Sequence, residues 1–152
     1  MVIGVIFAGG IGSRMGSADM PKQYLQLGSK PIIVHTIEKF VVNPGIDRII
    51  VLCPKAWIAH TKDLVKKYLG EAIAEKINVV EGGSTRNGTL ENALKFINEN
   101  FAFDADSVIV THDAVRPFVT HRIIDENIEA AKKYGACDTV IPATDTIVRS
   151  ED

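Results

Sequence analysis

Several things are scarce in this sequence, and each scarcity excludes something. Of 152 residues only two are cysteine, Cys53 and Cys137. They stand far apart, without Cys or His company at metal-ligand spacing, so neither a disulfide framework nor a zinc knuckle is indicated. Both read as reduced thiols near the ends of buried strands. No apolar run reaches membrane-spanning length. Met1-Val2-Ile3-Gly4 offers no basic segment or small-residue cleavage site, which makes the cytoplasm the default location. Net charge is only −2, too little imbalance to draw the chain to nucleic acid or a membrane surface, so cations that meet a polyanion must be local. Internal repeats and low-complexity stretches are missing too.

What is present is an alternation of short β-branched runs with segments of helical period. Val2–Phe7 is a continuous apolar run, the pattern of a strand covered on both faces. Pro31 opens a helix carrying Ile33, Val34, Ile37, Phe40 and Val41, closed by Asn43-Pro44-Gly45. Arg48–Leu52 reads as the second strand, stopped by Pro54. Trp57, Ile58, Leu64, Val65 and Leu69 follow on a second helix with Gly70 as its C-cap. Ile77–Val80 is a third strand, and Leu90, Leu94 and Ile97 mark a third helix. Ser107–Thr111 is a fourth strand. Thr120 is the N-cap of a fourth helix bearing Ile123, Ile124, Ile128 and Ala131, ended by Gly135. Thr139–Ile141 reads as the start of a fifth strand. The alternation predicts one α/β domain over 1–152, Rossmann-like and doubly wound, with a mostly parallel sheet. The chain stops at Ser150-Glu151-Asp152, straight after Thr146-Ile147-Val148, which reads as a fold cut before its C-terminal part.

Ligands of such sheets bind beyond the carboxyl ends of the strands, and three unusual loops fall there. The first runs from Phe7-Ala8-Gly9-Gly10-Ile11-Gly12-Ser13-Arg14-Met15-Gly16 to Met20-Pro21-Lys22-Gln23-Tyr24. Glycines allow close backbone approach to a phosphate, and Arg14 and Lys22 add fixed positive charge. The dinucleotide fingerprint fails, because the third glycine comes one place late, and no Gly-Lys-Ser/Thr of a P-loop is present. The alternative is a tight surface turn. The second loop, Gly82-Gly83-Ser84-Thr85-Arg86-Asn87-Gly88-Thr89, offers amides, hydroxyls and an arginine at a helix start, suited to a base edge or a phosphate; a plain helix start is the alternative. The third is His112-Asp113-Ala114-Val115-Arg116-Pro117. Asp113 there is placed to hold Mg²⁺ against a triphosphate, or else serves as a structural cap paired with Arg116. His35, His60 and His121 read as surface or capping residues, and Trp57 as packing.

Taken together, Ala8-Gly9-Gly10-x-Gly12-x-Arg14-Met15, Pro21-Lys22-Gln23-Tyr24, Gly82-Gly83-x-x-Arg86 and His112-Asp113-Ala114-Val115-Arg116-Pro117 resemble the cytidylyltransferases that make CDP-methylerythritol or CDP-ribitol. The resemblance covers the whole chain in order, and its joint signal is far more specific than any single loop. It implies a Rossmann-like nucleotidyltransferase that uses CTP with Mg²⁺. By position, Arg14 and Lys22 would stabilise charge developing at the α-phosphate. Phe7, Ala8, Gly9, Gly10 and Gly12 would line the CTP site. Gly82, Gly83, Ser84, Thr85, Arg86, Asn87, Gly88 and Thr89 would enclose cytosine and ribose with Ala114 nearby, and Asp113 would ligate the metal.

Two branches of that family compete. Val115, the run Phe118-Val119-Thr120-His121-Arg122-Ile123-Ile124, and the segments Asp138-Thr139-Val140-Ile141 and Asp145-Thr146-Ile147-Val148 look more like the ribitol-5-phosphate enzymes of teichoic-acid synthesis. Ser84 and Gly88 stand where the methylerythritol enzymes often carry acidic residues. The resemblance also implies that the segment from about 138 to 152 begins an arm reaching to a second subunit of a homodimer. Rival readings are a nucleotidyltransferase for UTP or GTP and a nucleotide-binding module without turnover. A dehydrogenase is disfavoured by the displaced glycine.

Overall fold

The computed structural model describes residues 1–10, 20–144 and 146. Val2–Phe7 forms strand β1, buried along almost its whole length. A single turn of 3-10 helix at Lys22–Tyr24 leads into a small hairpin of β2 (Gln26–Leu27) and β3 (Lys30–Pro31). Gly28 turns that hairpin at φ +66°, a conformation that costs glycine nothing. Then follow α1 (Ile32–Val41), β4 (Arg48–Cys53), α2 (Ile58–Leu69), the single turn α3 (Glu71–Ala74), β5 (Ile77–Glu81), α4 (Arg86–Asn100), β6 (Val108–Asp113) and α5 (His121–Tyr134).

The main sheet is four-stranded and parallel throughout, in the order β5-β4-β1-β6. From β1 the chain steps outward to β4 and β5, then crosses back to the far side of β1 for β6. The strand order therefore reverses between β1 and β6, the place where an open α/β sheet forms its ligand crevice. Helix α4 covers one face, where Ala93 and Ile97 meet Ile3, Val5, Ile50 and Leu52. The other face carries Ile33, Val34, Ile37 and Phe40 of α1, Leu64 and Val65 of α2, and Ile124 and Ile128 of α5. Burial on both sides is why β1 and β4 are nearly all aliphatic rather than alternating.

The expected helices end where their caps put them. The Thr120 hydroxyl accepts from the Ile123 amide, and Gly70 and Gly135 close α2 and α5 at φ +85° and +86°. Three expectations need correcting. Thr139–Ile141 is not a strand; Val140 and Ile141 are 77% and 82% exposed. That segment lies against α5 instead of joining a ladder: Asn127 Nδ2 donates to Thr139 Oγ1 (2.7 Å), and the Cys137 thiol contacts the Asn127 carbonyl (3.2 Å). Cys137 is consequently exposed, not at the end of a buried strand, whereas Cys53 is buried as expected and both are free thiols. Leu94 is largely exposed, because α4 buries Thr89, Ala93 and Ile97 instead; a small residue at the contact lets the helix sit close on the sheet. The β2–β3 hairpin and α3 escaped the sequence reading, since two-residue strands and one-turn helices carry too few residues for a period.

Ile50 is fully buried at the centre of the sheet. Ile50→Ala should cost about 2–5 kcal/mol of stability, read as a lowered urea midpoint with an unchanged m-value.

Candidate active site

The three loops leave the sheet at one level. In register, Phe7 stands between Leu52 and Asp113, and Cys53 faces Glu81. The ladder runs one bond past each strand: Ala8 N–H donates to Leu52 O (2.7 Å), Ala114 N–H to Phe7 O (2.9 Å) and Gly82 N–H to Cys53 O (2.9 Å).

The second loop then folds back over β4 toward β1. Thr85 caps α4 through its hydroxyl, which accepts from Gly88 N–H at 3.0 Å. Thr89 is buried; its Oγ1 accepts from Gly83 N–H (3.1 Å) and donates to Thr85 O (2.8 Å). A Cβ on Gly83 would fall 2.4 Å from the Gly88 carbonyl carbon, so only glycine lets these two backbones touch. A Cβ on Gly9 would lie 3.8 Å from Thr89 Oγ1, which places the first turn of α4 beside the end of β1. Helix α4 thus aims its N-terminus, with free amides and positive dipole end, at the crevice.

Arg86 spans that crevice. Its guanidinium lies 4.8 Å over the Phe7 ring, and Nη1 donates to Asp113 Oδ1 at 2.6 Å. Arg116 Nε holds the other oxygen, Oδ2, at 2.9 Å. Burial alone would push the Asp113 carboxyl up, but hydrogen bonds and charge from Arg86 and Arg116 outweigh it and hold it below the usual carboxylate range. The loop beyond is fixed by His112 Nε2 against Arg116 O (2.9 Å) and by Thr36 Oγ1 of α1, which donates to Ala114 O at 2.8 Å.

Of the residues singled out from sequence, Phe7, Gly9, Gly10, Gly82, Ser84, Thr85, Arg86, Asn87 and Asp113 lie at or just beyond the carboxyl ends of β1, β5 and β6 and keep some exposure. Ala8, Thr89 and Ala114 are buried and shape the loops through backbone and hydroxyl bonds. Gly83 and Gly88 pack against each other. Lys22 is exposed between buried Pro21 and buried Gln23. Gln23 Nε2 donates to Ala8 O at 2.7 Å, which brings the Lys22 turn to the end of β1. Gly12 and Arg14 lie outside the described residues. Gln23 and Thr36 join the site only in the structure; the run Pro21-Lys22-Gln23-Tyr24 is the sequence signal for the first, and none marks the second. His35 reaches Leu27 O (2.8 Å), and His60 joins the aromatic pair Tyr24–Trp57, stacked at 4.5 Å.

Could these residues serve a divalent cation? Among the described residues no group of three or more His, Cys, Asp or Glu side chains gathers. Asp113 is one carboxylate with both oxygens on arginines. That donor set fits Mg²⁺ carried in on a polyphosphate, which needs only one or two carboxylates, once an arginine yields an oxygen.

A parallel sheet whose strand order reverses at a glycine-lined crevice defines a Rossmann-like α/β domain. The chain belongs to the 2-C-methyl-D-erythritol 4-phosphate cytidylyltransferase family, IspD, whose model matches residues 2–152. Solved structures agree. 4-Diphosphocytidyl-2C-methyl-D-erythritol synthase from Anaerococcus prevotii DSM 20548 is 29% identical over 87% of this chain and 51% of its own, with a TM-score of 0.65. The Francisella tularensis 2-C-methyl-D-erythritol 4-phosphate cytidylyltransferase is 33% identical over 86% of this chain and 52% of its own, TM-score 0.65. Another 4-diphosphocytidyl-2C-methyl-D-erythritol synthase is 25% identical over 99% of this chain and 63% of its own, TM-score 0.73. The chain therefore spans between about half and two thirds of the length of these solved proteins.

Two outcomes follow from the geometry. Gly83→Ala should destabilise by about 1–3 kcal/mol or more, as overpacking does, measurable by thermal unfolding. A depressed Asp113 contributes stability that is present above the unfolded-state pKa of about 4 and lost as pH falls through the folded value. Wild type should therefore exceed Asp113→Asn in stability at neutral pH, and the gap should close as the pH is lowered through the depressed folded-state value.

Proposed function

We propose that the protein carrying this chain transfers CMP from CTP to 2-C-methyl-D-erythritol 4-phosphate, releasing pyrophosphate. The observation that carries the proposal is the arrangement at the carboxyl edge of the sheet, where the start of α4 lies beside the end of β1, Arg86 bridges Phe7 and Asp113, and the turn bearing Lys22 is tied to Ala8. Such a site suits a nucleoside triphosphate. The choice of acceptor rests on the family and on the names of the solved relatives, all of the methylerythritol branch. It displaces the ribitol 5-phosphate reading favoured by the sequence details, although Val115 still speaks for that acceptor.

An oxygen of the acceptor phosphate attacks the α-phosphorus in line. The bond from that phosphorus to the bridging oxygen breaks, and the electron pair leaves with pyrophosphate. Little covalent chemistry falls to the protein, so positioning and electrostatics carry the rate. Lys22 and Arg14 are assigned to the charge that develops around the α-phosphate. Gly9, Gly10 and Gly12 would receive phosphate oxygens on backbone amides. The loop 82–89 would hold the base and ribose at the helix start. Asp113 would hold Mg²⁺, which when bound neutralises charge on the triphosphate. A homodimer in the cytoplasm, with an arm beginning near residue 138, completes the reading.

The test is pyrophosphate release by the full-length protein with CTP and each of the two acceptors. Methylerythritol 4-phosphate should be preferred; a clear preference for ribitol 5-phosphate would transfer the assignment to the other branch. Lys22→Ala should lower turnover by about 3 kcal/mol of transition-state stabilisation, roughly a hundredfold or more, with the fold intact. Near-normal turnover in that variant would refute the role.

A further inference from the structure

The parallel ladder between β1 and β4 stops for a chemical reason. Ala8 N–H donates to Leu52 O, so in a parallel ladder Ala8 O would next accept from the amide of residue 54. Residue 54 is proline and has no N–H to give. The Ala8 carbonyl is buried at that point and needs another donor. Gln23 supplies it: the side chain is only 1% exposed, and its Nε2 reaches Ala8 O at 2.7 Å. A carbonyl can only accept, so the amino end of the Gln23 amide is fixed there.

That bond sets two things at once. The Ala8–Gly9 peptide is planar and trans, so its N–H points opposite to its C=O. Ala8 O is turned toward the β4 side, and Gly9 N–H is therefore directed to the β6 side, where the crevice opens. The same bond fastens the turn that carries Lys22, one residue before Gln23. The turn has a second anchor in Tyr24, whose hydroxyl shares a 2.8 Å hydrogen bond with Thr61 Oγ1 and whose ring stacks on Trp57. Lys22 is thus an exposed cation whose backbone is fixed by buried neighbours on either side.

We infer that Gln23 is a positioning residue for the transfer reaction: it replaces the missing Pro54 amide at Ala8 O, and so aims Gly9 N–H and Lys22 together at the phosphate chain. This rests on the role proposed for Lys22. The experiment uses the full-length protein with CTP and methylerythritol 4-phosphate, following pyrophosphate release and, separately, CTP affinity by calorimetry. Gln23→Met keeps the length of the side chain and removes the donor. It should remain folded by circular dichroism, lose on the order of 100-fold in kcat, as a misplacement of about 1 Å can cause, and bind CTP more weakly. Added to Lys22→Ala, the same change should cost kcat far less than it does alone, since the two act as one unit. A folded Gln23→Met with kcat and CTP affinity within about twofold of wild type, beside an inactive Lys22→Ala, overturns the inference and leaves the function standing. An undiminished kcat loss in the Lys22→Ala background overturns the coupling. Full turnover in Lys22→Ala overturns both readings. Should Gln23→Met fail to fold, Gln23→Asn, with its amide one carbon shorter, is judged by the same readouts.

Discussion

Where a parallel sheet ends, its last carbonyls still demand donors, and meeting that demand with buried side chains is what the rest of this structure depends on. Gln23 reaches Ala8 O, Thr36 reaches Ala114 O, and Thr89 ties Gly83 to Thr85. Each bond joins an element outside the loop, or the far end of the loop, to backbone at the carboxyl edge of the sheet. Buried polar pairs of this kind are costly if half made and specific if complete. No buried side-chain N or O among the described residues is left without a partner. Three flexible-looking, glycine-rich loops are thereby held by a few buried donors.

Charge is organised on the same edge. The chain as a whole is slightly acidic, yet Arg86 and Arg116 gather at the end of β6, with Asp113 between them. Arg86 is 64% exposed while Asp113 is 25% exposed. The more solvated partner of that pair can move at lower cost, so an incoming anion has a ready cation and the carboxylate has a route to release. The stacking of Arg86 on Phe7 gives the guanidinium a resting face that does not depend on Asp113.

Most of the fold was legible because its signals are local and repeated. Apolar runs in Val2–Phe7 and Arg48–Leu52, helical spacing in α1 and α5, and caps at Thr120, Gly70 and Gly135 each follow from residues near in sequence. The false strand at Thr139–Ile141 shows the limit: β-branched residues satisfy a propensity, but a strand also needs a neighbour's ladder, which no local pattern reports. The site was legible as loop composition and less so as division of labour. Gly83 and Gly88 let two backbones meet, and Thr89 and Ala114 are buried, features that loop composition alone does not report. Gln23 and Thr36 act across the fold on carbonyls whose need arises only once the strands are paired.

The bond from Thr36 to Ala114 joins residues 78 positions apart, and β6 pairs with β1 across more of the sequence than any other strand pair of the sheet. Closing so long a loop delays its contacts in folding. The β1, β4 and β5 side of the sheet can pair over shorter separations, whereas the crevice exists only after β6 has docked. The crevice is therefore the part of the fold with the highest loop-closure cost. A ligand that binds the finished crevice holds β6 in place, and so stabilises the contact that is hardest to close, by mass action.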